Sequence, residues 1–104
     1  MVAEISVKQD GMVDISGELT FATVTPLYQS IPDHFSMGKD FIIDFSRVGN
    51  CDSASLVLLI GIVRYLKQQN KHVQFVHLPQ TVLTLVQLYN LQELISMQPN
   101  LSHG

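Results

Sequence analysis

The segment that constrains the fold most is an apolar strand followed by a polar stretch and a long apolar helix. Residues 41–45 are aromatic, β-branched or acidic in the order Phe-Ile-Ile-Asp-Phe, which is typical of a strand buried on both faces. Residues 46–52 are polar and predict a loop, and residues 54–66 are almost wholly apolar. This order predicts an α/β unit with its loop at the carboxyl end of the strand, where such folds place functional residues.

The N-terminal residues predict a hairpin. Apolar and polar residues alternate over residues 3–8 and again over residues 12–15. Between them, Asp10 and Gly11 form a dipeptide that favours the tight turn of a hairpin. The segment Gly17-Glu18-Leu19 is expected to lead out of the second strand.

The remaining segments alternate between helix and strand. Residues 23–35 have apolar residues at helical spacing, and Pro32 is expected to end this helix or tighten its last turn. The apolar helix is expected to close over residues 67–70, where Asn70 tolerates the left-handed conformation of a helix end. Residues 72–78 predict a strand, and residues 80–89 predict a third helix that Asn90 is placed to stop.

The predicted order β-β-α-β-α-β-α defines an α/β fold class. Because strand-helix-strand crossovers are right-handed, this order predicts a mixed β-sheet with helices mainly on one face. A chain of 104 residues without a repeat or a linker is expected to form a single domain over residues 1–104, with a loose tail at 97–104.

Charged residues are scarce. They make up 14% of the chain, against about 25% in an average domain. Because a small domain has a large surface to cover, this shortage predicts an apolar surface that a partner covers. The net charge of -3 and the scattered basic residues argue against nucleic-acid binding, and the single Cys51 fits a reducing compartment.

No segment is expected to enter a membrane. The longest uncharged apolar stretch, residues 54–63, ends at Arg64, and about 20 residues are needed to span a bilayer. The N-terminus has no cationic segment followed by an apolar one, so we expect no signal peptide. These features predict a soluble, cytoplasmic protein.

Asp52 and Ser53 precede the apolar helix, and either side chain can cap it by accepting a hydrogen bond from the first turn. A serine hydroxyl there can also be phosphorylated, since the phosphate would lie at the positive end of the helix dipole. Capping and a phosphorylation-controlled contact with a partner both remain open for this pair.

The apolar helix has two apolar faces when its residues are placed about 100° apart. The face expected to meet the core consists of Leu56, Leu59, Ile60, Val63 and Leu66. The opposite face carries Ala54, Leu58, Gly61 and Tyr65, with Val57 and Gln68 beside it. Because a single sheet leaves nothing to cover this second face, we predict a partner there. The alternative is that the second face packs under the first or third helix.

No residues combine into a catalytic or cofactor site. Cys51 has no base beside it in the sequence and is expected to be a small apolar residue rather than a nucleophile. His72 and His77 are predicted on opposite faces of one strand and cannot share a metal ion. Asp44 and Asp52 could pair as carboxylates, but Asp44 is expected to bond to loop backbone. We therefore expect neither a cofactor nor enzymatic activity.

The chain resembles the STAS domains, the module of anti-sigma-factor antagonists and sulfate transporters. The resemblance rests on the motif Asp44-Phe45-Ser46-x-Val48 after an apolar strand and on Asp52-Ser53-x-x-Leu56 at the start of an apolar helix. It covers nearly the whole chain and implies a SpoIIAA-like fold.

Two further segments resemble one branch of this family. They are Gly17-Glu18-Leu19 followed by Pro26-Leu27-Tyr28, and Thr84-Leu85-x-x-Leu88-Tyr89-Asn90-Leu91. That branch supplies a small cytoplasmic subunit of a phospholipid-transporting ABC transporter in Gram-negative bacteria. The resemblance implies a non-enzymatic protein that binds the ATPase subunit, itself in complex with a membrane permease, and stabilises or activates it.

The resemblance also implies a binding site around Ser53, which lies where the family carries its phosphorylatable or partner-contacting Ser or Thr. The implied partner-binding residues are Asp52, Ser53, Ala54, Val57, Leu58, Gly61 and Tyr65. The alternative function is an anti-sigma-factor antagonist that changes partner when Ser53 is phosphorylated. Ser55 departs from the family, which often has Gly there, and this bulk disfavours kinase docking more than ATPase binding. The apolar face could also support weak self-association.

Overall fold

The computed structural model describes residues 3–93, so the predicted tail at 97–104 lies outside the described residues. Strands and helices alternate along the chain. They are β1 (Glu4–Val7), β2 (Met12–Leu19), α1 (Val24–Gln29), α2 (Ile31–Phe35), β3 (Asp40–Cys51), α3 (Ala54–Gln68), β4 (His72–Val76) and α4 (Gln80–Leu88). The predicted order is confirmed, with the first predicted helix divided into α1 and α2.

The four strands form one sheet in the order β1-β2-β3-β4. β1 is antiparallel to β2, whereas β2, β3 and β4 are parallel, which makes the sheet mixed. Buried and more exposed residues alternate along β2, so only one face of the sheet is fully covered. The helices contact one another over that face, with α3 between α1 and α4. The predicted one-sided arrangement is therefore confirmed.

The turn between β1 and β2 has the conformation that its residues predict. Asp10 has a φ of 58° and Gly11 a φ of 78°, the left-handed values that a tight hairpin turn needs. A side chain at Gly11 would also overlap the Asp40 carbonyl oxygen at the start of β3. Glycine is therefore required here by both the turn and the close approach of the chain.

β3 is longer than the sequence predicts. The prediction of a loop over residues 46–52 is wrong, because the strand continues to Cys51. β2 itself runs to Leu19, so the second half of β3 has a hydrogen-bonded neighbour, with Leu19 opposite Cys51. This pairing outweighs the weak strand preference of the residues in that half. The polar connection to α3 is consequently reduced to Asp52 and Ser53.

Residues 23–35 form two helices rather than the one predicted, and the break lies at Ser30. Pro32 has no N–H group to donate to the carbonyl of Tyr28, so an unbroken helix would lack that hydrogen bond. The Ser30 N–H group instead donates to the Leu27 carbonyl at 3.1 Å and closes the first helix. Pro32 thus acts earlier in the segment than expected.

α3 and α4 both end in the motif that their asparagines predict. Asn70 and Asn90 have φ values of 58° and 60°, in the left-handed region. In each case the N–H group of the next residue donates to the carbonyl five residues earlier, at 2.8 Å after α3 and 2.9 Å after α4. These bonds satisfy carbonyl groups that helix ends leave free.

The core lies between the covered face of the sheet and the helices, and it includes two aromatic pairs. The rings of Phe35 and Phe41 meet edge to face at 5.1 Å, and those of Phe45 and Phe75 at 5.9 Å. Within residues 3–93, no helix is both long and apolar enough to cross a bilayer.

Candidate partner-binding site

Asp52 connects three parts of the chain at the start of α3. Its Oδ1 accepts a hydrogen bond from the Ala54 N–H group at 2.8 Å, and its Oδ2 accepts one from the Phe21 N–H group at 3.3 Å. Its own N–H group donates to the Leu19 carbonyl at 3.1 Å. Of the two residues that could cap α3, Asp52 therefore supplies the capping side chain.

Ser53 is exposed, and its hydroxyl does not cap the helix. The Ser53 hydroxyl therefore takes no part in capping the first turn of α3. Ser55, in contrast, is fully buried, and its hydroxyl donates to the Asp52 carbonyl at 2.8 Å. The bulk of Ser55 thus lies inside the domain and leaves the surface around Ser53 unobstructed.

The prediction that one face of α3 is left open for a partner is wrong for most of the residues on that face. Ala54, Leu58 and Gly61 are buried, with Leu58 0% exposed, and Tyr65 is half-buried. α1 packs over this side of the helix, so closely that a Cβ atom on Gly61 would lie 2.5 Å from the Tyr28 ring. The alternative, in which this face packs under the first helix, is therefore correct.

The face of α3 that is open lies one residue earlier than predicted, which is a rotation of about 100° around the helix. Ser53, Val57 and Arg64 are exposed along it, and Ile60 is half-buried. Val57 is 51% exposed, so an apolar side chain stands one helical turn from the Ser53 hydroxyl. We call these four residues the α3 surface.

A second exposed apolar side chain, which has no role in the sequence-based prediction, belongs to a loop whose backbone is bonded to Asp52. Phe21, in the loop between β2 and α1, is 76% exposed. Its backbone is bonded to Asp52, which precedes Ser53. Periodicity could not reveal Phe21, because the residue belongs to neither a strand nor a helix. The available signal was a lone aromatic residue between the end of a predicted strand and the start of a predicted helix.

Cys51 is half-buried at the end of β3. Burial, and then the nearby charge of Asp52, raise the pKa of its thiol above the ordinary value. A raised pKa lowers the thiolate fraction at neutral pH, which disfavours a role as a nucleophile.

His72 and His77 each lie beside a different aspartate. The His72 ring lies 3.1 Å from the Asp40 carboxylate, and the His77 ring 3.0 Å from that of Asp44. Within residues 3–93, no three His, Cys, Asp or Glu side chains are grouped so that they could hold a metal ion.

Asp44 lies on the sheet face away from the helices, directly opposite Asp14 of β2. Lys8 forms an ion pair with Asp14 at 2.7 Å. The Asp44 carboxylate accepts a hydrogen bond from the Ser46 N–H group at 2.8 Å, so it bonds to backbone as predicted. Burial on its own raises the pKa of the Asp44 carboxyl, but the hydrogen bonds from Ser46 and His77 outweigh it. The net effect is a pKa below the ordinary value of 3.8.

This lowered pKa predicts that Asp44 stabilises the domain only while it is ionised. As the pH falls below 3.8, the unfolded chain takes up the proton before the folded one, so the free energy of unfolding decreases. Urea unfolding at a series of acidic pH values measures this slope. Asp44→Asn is expected to make the slope shallower, and an unchanged slope would contradict the assignment.

Comparisons with known proteins identify the family. The family model described as Mlab, STAS domain matches residues 3–97. The chain therefore belongs to the STAS domain family. No curated protein matches the sequence.

Solved structures share the fold at low sequence identity. The phosphorylated form of the Bacillus cell fate determinant SpoIIAA is 19% identical with a TM-score of 0.67, over 93% of this chain and 91% of that chain. An anti-sigma factor antagonist from Mycobacterium paratuberculosis is 22% identical with a TM-score of 0.70, over 98% and 88%. A sulfate transporter family protein from Wolinella succinogenes is 15% identical with a TM-score of 0.66, over 88% and 75%. These likenesses confirm the predicted SpoIIAA-like fold.

Proposed function

We propose that this STAS domain is a non-enzymatic accessory subunit of an Mla-type phospholipid transport system and binds its ABC ATPase subunit through the α3 surface. The observation that carries the proposal is the exposed Val57 one turn from Ser53, whose hydroxyl does not cap the helix. The chain also matches the family model described as Mlab, STAS domain. Binding stabilises or activates the ATPase and so helps to maintain outer-membrane lipid asymmetry.

The proposed contact combines an apolar centre with a polar edge. Val57 supplies apolar area that a partner removes from water, while Arg64 lies two turns further along the same face. Of the residues predicted to bind the partner, Ser53, Val57 and the exposed part of Tyr65 are retained as contacts, and Asp52 is retained as the residue that caps α3 beside them. Ala54, Leu58 and Gly61 support α3 from inside instead. The domain is held at the cytoplasmic face of the inner membrane through the ATPase and its permease.

The exposed Ser53 hydroxyl favours a second candidate function, that of an anti-sigma-factor antagonist. The side chain is not used as a helix cap, so a kinase could phosphorylate it without removing a hydrogen bond of the fold. Two of the similar structures are described as a phosphorylated cell fate determinant and an anti-sigma factor antagonist. On this function a soluble kinase, rather than an ATPase, is the partner.

Purification of the tagged protein from its native membranes, solubilised in mild detergent, separates the two functions. We expect an ABC ATPase and a permease to accompany the wild type but not Val57→Asp, because the new carboxylate would be desolvated in the contact without a partner. Met37→Asp is the matched control, since Met37 is 81% exposed and lies between α2 and β3, away from the start of α3. Recovery of a soluble kinase with phosphate on Ser53 would instead support the second function.

A further inference from the structure

The loop that carries Phe21 is held by several hydrogen bonds although it lies outside any helix or strand. The Thr20 N–H group donates to the Thr23 hydroxyl at 3.0 Å, and that hydroxyl donates to the Glu18 carbonyl at 2.5 Å. The Val24 N–H group donates to the Thr20 carbonyl at 2.9 Å. Phe21 is thus a large apolar side chain presented to solvent on an ordered turn.

Exposed aromatic residues on ordered backbone are what binding surfaces use as anchors. A phenylalanine buried by a partner removes a large apolar area from water, and an ordered loop reduces the entropy lost on binding. Phe21 is also continuous with the α3 surface, because the Asp52 carboxylate bonds the Phe21 N–H group and the first turn of α3 together.

We infer that Phe21 is an anchor that enters an apolar pocket of the ATPase subunit, and that Asp52 is the positioning residue that holds it beside Ser53. This inference rests on the proposed function and adds a second segment to the binding site. The two oxygens of Asp52 have separate tasks: Oδ1 caps α3 and Oδ2 fixes the Phe21 loop.

An apolar pocket of another protein fits this surface better than a second copy of the chain. In a two-fold contact around Ser53, the Asp52 carboxylates of both copies would come close to each other. Neither residues 20–23 nor residues 52–57 include a Lys or Arg that could offset their repulsion. A partner with an uncharged apolar pocket avoids this repulsion.

The test is a titration of the purified ATPase subunit with the wild-type domain and its variants. We expect Phe21→Ala to weaken binding about 30-fold, as loss of an anchor residue does, with unchanged unfolding by urea. Met37→Ala, which removes an equally exposed apolar side chain elsewhere, should bind like the wild type. Asp52→Asn keeps an oxygen for the Ala54 N–H group but presents an NH₂ group to the Phe21 N–H group, so it should also weaken binding.

A double variant shows whether Asp52 acts through Phe21. If it does, Asp52→Asn weakens binding in the wild type but changes little in the Phe21→Ala background. Fold losses that multiply would overturn the positioning role. Wild-type affinity in Phe21→Ala would overturn the anchor, while the proposed function would still stand if Val57→Asp fails to bind. If the wild type does not bind the ATPase, the proposed function itself is contradicted. If the free chain forms a dimer that Phe21→Ala abolishes, Phe21 contacts a second copy, and the inference that it enters an ATPase pocket is overturned.

Discussion

Replacement of Leu58 by aspartate is expected to unfold the domain. Leu58 is completely buried in the core, so the change removes a core side chain and places a carboxylate there without a partner. The lost packing costs about 2–5 kcal/mol, and an unpaired buried charge costs several more. Because a domain of this kind is stable by only about 5–15 kcal/mol, little or no folded protein should remain. Circular dichroism and urea unfolding measure this directly.

Val57→Asp is the matched control for Leu58→Asp. It makes a similar change one residue earlier in the same helix, but Val57 is half exposed, and acidic residues near a helix N-terminus are favourable. Its free energy of unfolding should stay within about 0.5 kcal/mol of the wild type. If Leu58→Asp instead folds as well as Val57→Asp, the burial of Leu58 in the core is contradicted.

Ser53→Glu is expected to abolish partner binding while leaving the fold intact. A carboxylate at this position would enter the proposed apolar contact. The first turn of α3 contains no Lys or Arg that could pair with it. The cost of removing such a charge from water corresponds to a loss of affinity of roughly 100-fold or more. Folding should be affected little, because the added charge lies at the positive end of the helix dipole.

Two substitutions at the same position separate charge from size and from capping. Ser53→Gln has nearly the shape of the glutamate without its charge, so it should bind more tightly than Ser53→Glu. Ser53→Ala should cost less stability than the loss of a cap usually does, about 0.5–2 kcal/mol, since Asp52 supplies the cap. Equal affinities for all three variants would show that Ser53 lies outside the interface.

The sequence predicts this fold well where single residues impose a local conformation. Asp10 with Gly11, Asn70 and Asn90 all adopt the left-handed backbone that their side chains tolerate, and they end a strand or a helix as predicted. Such residues act through their own backbone. Their effect therefore does not depend on which other parts of the chain pack nearby.

The sequence does not predict features that depend on distant packing. α3 is apolar over most of its circumference, so its periodicity could not show that α1 would cover Gly61, that Leu58 would be buried and that Val57 would stay open. The continuation of β3 to Cys51 likewise depends on pairing with β2, where Val48 lies opposite Gly17 and Cys51 opposite Leu19. The open face of α3 therefore lies one residue away from the face that the sequence predicted, and the binding site at Ser53 stays a prediction.

The most direct test of the α3 surface as the binding site is the affinity of the purified ATPase subunit for the wild-type domain and for Val57→Asp, measured by titration calorimetry. We expect the wild type to bind and Val57→Asp, folded and equally stable, to bind at least about 30-fold more weakly. Equal affinities would contradict the α3 surface as the binding site. Absence of binding by the wild type would contradict the ATPase as the partner.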